Sequence, residues 1–171
     1  LRDVFENLSE KDFALLKTAS DIEREHYGVL TRMEELLEFA KRMGFKRIGI
    51  AFCIGLFDET KVVAKVLKRH GFEVYSVACK VGAVDKAELD IEKIKPDSLE
   101  AACNPVGQAE VLNEKETDMN IVIGLCVGHD MLFNRYSKAP TTTLIVKDRV
   151  LAHNPAGAVY SKYHRRKLLG E

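Results

Sequence analysis

Four cysteines carry most of the chemistry this chain could perform. Cys53, Cys79, Cys103 and Cys126 are spaced by 26, 24 and 23 residues, close to the length of one strand-plus-helix unit. Three of them close an apolar run: Cys53 ends I-G-I-A-F-C, Cys79 ends E-V-Y-S-V-A-C and Cys126 ends I-V-I-G-L-C. Cys103 stands in A-C-N-P-V-G, just ahead of a helical segment. If the three runs are parallel neighbouring strands, their carboxyl ends share one edge of a sheet, where open α/β sheets bind their ligands.

Thiolates are soft ligands, which zinc accepts at roughly 2.3 Å and iron–sulfur clusters also require. His129 follows Cys126 at C-x-x-H spacing, so both side chains can face one point. The first expectation is therefore a zinc or iron–sulfur site held by Cys53, Cys79, Cys103 and Cys126, with His129 as a ligand or as a partner to one. Asn104, Gly128 and Asp130 lie beside these positions and are expected to line the site. No C-x-x-C pair occurs, so the spacing is not that of a zinc ribbon or a ferredoxin.

Three other readings compete. Cys126 and Cys103 each precede a helix start, and Cys126 also precedes a histidine. Both features lower a thiol pKa and suit a redox or nucleophilic thiol enzyme acting on a small molecule, with Cys126/His129 or Cys103 as the reactive group. Gly128 and the amides of the next helix would suit an anion, although G-x-G-x-x-G and the P-loop pattern are absent. A free cysteine is also simply a small hydrophobe that strands bury, which would make the chain a structural or interaction module.

The elements that must position these residues follow from pattern. Residues 1–44 read as a helical pair packed on the rest. Ser9 with Asp12, and Thr31 with Glu34, have capping-box spacing, Gly28 breaks the run, and Gly44 ends it as a C′ glycine. Residues 45–171 read as an α/β domain. Strands are expected over 45–54, 73–79, 119–127 and 141–146, with a short fifth over 150–152. Helices are expected over 57–70, 108–116, 130–137 and 156–169. Alternation of strand and helix predicts a three-layer, mainly parallel, Rossmann-like sheet of four to five strands with helices on both faces. The charged stretch 80–99 leaves the second strand directly after Cys79 and is expected to be a surface excursion able to fold over the thiols.

Composition narrows the partners. Lys plus Arg and Asp plus Glu both number 26 across 171 residues, for zero net charge, which disfavours a nucleic-acid or membrane partner held by bulk charge. No apolar run approaches the roughly 18 residues of a membrane span. No signal-peptide pattern opens the chain, so a cytoplasmic setting with reduced thiols is expected. A metal or small molecule is the expected partner, and a homo-oligomer remains open.

Several runs carry a resemblance: T-R-M-E-E (31–35), I-G-I-A-F-C-I-G-L (48–56), C-K-V-G (79–82), C-N-P-V-G-Q-A-E-V-L-N (103–113), G-L-C-V-G-H-D (124–130) and K-D-R-V-L-A-H-N-P (147–155). From about residue 30 to 160 the chain resembles a family of uncharacterised archaeal and bacterial proteins labelled predicted metal-binding, domain of unknown function family 1847. The resemblance implies the same cysteine set, with Asn104, His129 and Asp130 beside it. That family's label rests partly on a further N-terminal cysteine-rich segment, which these residues do not contain.

Overall fold

A computed structural model describes all residues, Leu1–Glu171. Three helices lead: α1 (Arg2–Glu6), α2 (Glu10–His26) and α3 (Arg32–Arg42). There follow β1 (Arg47–Phe52), α4 (Phe57–Arg69), β2 (Glu73–Ala78), α5 (Pro105–Glu114), β3 (Met119–Ile123), α6 (His129–Tyr136), β4 (Thr141–Ile145), α7 (Ala156–Tyr160) and α8 (Lys162–Leu169). The helices begin where their caps dictate. Ser9 Oγ accepts from Asp12 N, and Thr31 with Glu34 forms a complete capping box. Gly44 takes the left-handed backbone that ends α3, at φ +69°.

The four strands form one all-parallel sheet in the order β2-β1-β3-β4. Residues on β1 alternate between two cores. Ile48, Ile50 and Phe52 pack with Leu36, Leu37 and Ala40 of α3 and Val63 and Leu67 of α4. Ala51 and the following Cys53 pack on the other face with Val77, Ala109 and Leu112 of α5, Val122 and Phe133 of α6. Strands buried on both faces read as continuous apolar runs, which is why β1 and β3 lack polar alternation. Side chains such as Ile50 and Ile121, fully buried, each contribute roughly 1.5–3 kcal/mol of transfer free energy.

The topology fixes where the sheet can bind. The chain leaves β1 toward α4 on one face and leaves β3 toward α6 on the other. The crevice between the carboxyl ends of β1 and β3 is therefore the point where winding reverses. Cys53 and Cys126 follow those two strands.

Three expectations need correction. Residues 150–152 form no fifth strand. Asp148 Oδ1 accepts from Val150 N and Leu151 N at 2.9 and 2.8 Å, and Ala152 and His153 take φ of 49° and 63°, so the segment is a turn. The terminal helix is two helices, because Ser161 leaves helical geometry and its side chain caps α8 by accepting from His164 N. The leading pair of helices is preceded by a third, α1, which buries nothing. The stretch 80–99 folds into a compact excursion. It is tied by an antiparallel bridge between Asp85 and Ala101 and by the ion pairs Lys93–Asp85 and Lys86–Glu100.

Candidate functional site at the carboxyl rim

The last rung of the β1–β2 ladder pairs Phe52 with Ala78, and Cys79 N continues it by donating to Phe52 O at 2.8 Å. Cys53 and Cys79 are therefore the next pair across adjacent strands, and both contribute to the core on the α5 face. Cys53 N donates to Ile123 O at 3.0 Å, which ties the same point to β3. Gln108, fully buried on α5, donates from Nε2 to Phe52 O and Val77 O at 3.2 and 2.7 Å, clamping both strand ends just before their cysteines. Its Oε1 is buried without a hydrogen-bond partner.

Each sulfur has its own surroundings. Cys79 is 3% exposed, and its Sγ accepts from Ile54 N at 3.4 Å. Burial, with the neighbouring Cys103 and Cys53 thiols adding to it, pushes Cys79 up to about 12 against the opposing Ile54 N–H. Cys53 goes the other way. Burial raises it, but the Gly55 N–H, the Lys147 ammonium and the Cys79 thiol outweigh that and hold it below the ordinary thiol value. Cys103 Sγ accepts from Lys80 Nζ at 3.3 Å, and Cys126 Sγ accepts from Arg149 Nη2 at 3.1 Å. The hydrogen bond to Cys126, then its charge, raises the Arg149 pKa, with smaller contributions from Cys53 and Cys103. All four thiols are free, and three cations border them.

The other residues singled out from sequence lie close by in chain but have different work. His129 opens α6 and gives its backbone N–H to Cys126 O at 2.9 Å, while its ring makes no hydrogen bond to a sulfur. Arg149 holds Cys126 instead. Gly128 N and Met131 N both donate to Asp130 Oδ1, at 3.1 and 2.8 Å, so the chain's own carboxylate occupies amides an anion would need. Asn104 caps α5, accepting from Gly107 N at 2.7 Å. The cations Lys80, Lys147 and Arg149 were missed. Their signal lay in position: Lys80 follows Cys79 directly, and Lys147 and Arg149 leave β4, whose carboxyl end must share the rim.

The donor set suits a soft metal. A four-thiolate site is negatively charged, and the three cations would offset that charge. The four cysteines lie near one another, but as they stand no three His, Cys, Asp or Glu side chains are placed to hold one ion.

Comparison with known proteins places the chain. The protein family of unknown function DUF1847 matches residues 1–144. The chain belongs to that family. An uncharacterised protein of Methanocaldococcus jannaschii, MJ0455, is 57% identical over 160 residues, covering 94% of this chain and 82% of the relative. The match ends at the last strand, so Lys147 and Arg149 lie beyond the matched segment. No helix of the DUF1847 chain is long and apolar enough to cross a membrane.

Proposed function

We propose that the rim is a dithiol redox centre in which Cys53 is the nucleophile and Cys79 its buried partner. The observation that carries this reading is the register: the two cysteines are the next pair beyond Phe52 and Ala78 on adjacent parallel strands. Neighbouring strands lie about 4.8 Å apart, within the roughly 4.4–6.8 Å between Cα atoms that a disulfide requires. The two thiols also differ in the sense such chemistry uses, the accessible one ionising more readily than the buried one.

The substrate class is a low-molecular-weight disulfide. The Cys53 thiolate attacks one of its sulfurs, a mixed disulfide forms, and one thiolate leaves. Cys79 then loses its proton and attacks Cys53 Sγ, closing the Cys53–Cys79 bond and releasing the second thiol. The substrate disulfide is reduced and the protein dithiol oxidised. The cytoplasm, which keeps resting thiols reduced, is the proposed setting. The test is a thiol count during incubation with one equivalent of oxidised glutathione. The free thiols should fall from four to two, with two equivalents of reduced glutathione released. A count that stays at four, or glutathione retained on the protein, would contradict the reading.

The four-sulfur donor set favours a second reading, soft-metal binding. Cys53, Cys79, Cys103 and Cys126 would hold the ion or cluster, with His129 beside them; zinc would supply a Lewis acid and an iron–sulfur cluster one-electron transfer. Metal content and the absorption spectrum of anaerobically purified protein decide it. Stoichiometric zinc or iron would favour this reading over the dithiol.

A further inference from the structure

The dithiol reading leaves one thiol on the same face without a role. Cys103 packs against the core that holds Cys53 and Cys79. Its segment is fastened to the end of β2, because Asn104 N donates to Cys79 O at 2.7 Å. Lys80 Nζ reaches back to Ala101 O and Cys103 Sγ at 2.5 and 3.3 Å, holding that thiol at the strand end. Cys79 is a direct neighbour of both Cys53 and Cys103. Cys126 is turned to Arg149 instead, its Sγ accepting from Nη2 at 3.1 Å.

We propose that Cys103 is a third reacting thiol, which takes the disulfide over from Cys53 so that the oxidised centre regains a free nucleophile. This rests on the dithiol reading. The Cys103 thiolate attacks Cys79 Sγ, the Cys53–Cys79 bond breaks, and its electron pair leaves on Cys53 Sγ. The proton given up by Cys103 passes to solvent. One disulfide is exchanged for another, so no further oxidant or reductant enters. Lys80 stands 3.3 Å from the attacking sulfur, and Lys147 stands beside the leaving one, where its ammonium favours the Cys53 thiolate that the step releases. The centre can then store one disulfide between Cys79 and Cys103 while Cys53 forms a mixed disulfide with a second substrate molecule. That is the capacity required to shuffle disulfides as well as to reduce them.

Each cysteine falls in its own tryptic peptide, 48–61, 70–80, 94–115 and 116–135, so bridges can be told apart by mass. The full chain is oxidised with one equivalent of oxidised glutathione, sampled over time, quenched in acid, alkylated and mapped. The expected result is an early 48–61/70–80 bridge, followed by a growing 70–80/94–115 bridge. Cys103→Ser should lose only the second. Lys80→Met, in which the Cys79 peptide runs 70–86, should slow the appearance of the corresponding bridge several-fold. If the first bridge forms and Cys103 stays alkylatable throughout, the transfer is overturned and the dithiol reading stands. If neither bridge forms in the wild-type chain, both are overturned.

Discussion

Cys53 and Cys79 differ by their surroundings, and the difference is measurable. At neutral pH, a thiol held below its ordinary value of 9 is more ionised than a free cysteine, while one pushed up to about 12 stays protonated. Alkylation followed by mass should therefore mark Cys53 first, with a half-maximal rate below pH 9, and leave Cys79 unmodified through that range. Removing the ammonium in Lys147→Ala should move the Cys53 midpoint upward and slow its labelling at pH 7. The linkage for Cys79 has the opposite sign to that for Cys53. A raised folded pKa means the unfolded chain releases a proton first, so this group costs stability as pH rises from 9 toward 12. Gly124 is a second sensitive position. Its φ is +61° and an added Cβ would lie 1.9 Å from Leu56 Cδ1, itself 1% exposed. Gly124→Ala should destabilise by about 1–3 kcal/mol in urea unfolding. The four cysteines and the apolar runs before them were legible in the sequence. The cations were not, because the charge that reaches a sulfur from another strand follows from tertiary placement.

Elements hold these residues in register, and their caps and clamps can be tested one by one. Thr31→Ala removes the hydroxyl that accepts from Glu34 N, leaving only the backbone half of the α3 capping box, and should lower stability by about 1 kcal/mol. Gln108→Leu keeps the bulk but removes the two donors to Phe52 O and Val77 O. It should loosen the strand ends and slow closure of the Cys53–Cys79 bond more than it slows alkylation of Cys53, measured by stopped alkylation against thiol counting. Strands β1 and β3 could be read from sequence because burial on both faces leaves unbroken apolar runs. Residues 150–152 misled for a physical reason: V-L-A has strand character, but Asp148 captures its amides and forces a turn. Ser161 lies within a run of helical pattern, yet its hydroxyl starts a new helix.

At the scale of the molecule, alternating strands and helices announced a parallel sheet, but the strand order was not legible. Whether the third strand joins β1 or β2 depends on which face the connecting helix covers, and α5 covers both β1 and β2 while delivering the chain to the far side of β1. That placement makes the crevice between Cys53 and Cys126 and sets Cys79 in the core under α5, where the excursion 80–99 begins. Other parts contribute little to this frame. Helix α8 has no buried residue, so a chain ending at residue 161 should melt within a few degrees of the full chain and keep the same thiol count after oxidation.

The central claim concerns two sulfurs, and a crystal structure of the oxidised protein examines them directly. The account predicts continuous density joining Cys53 Sγ to Cys79 Sγ, or Cys79 Sγ to Cys103 Sγ, at about 2.05 Å. Sulfurs of residues 53, 79, 103 and 126 gathered around an anomalously scattering ion, or a disulfide formed through Cys126, would contradict it.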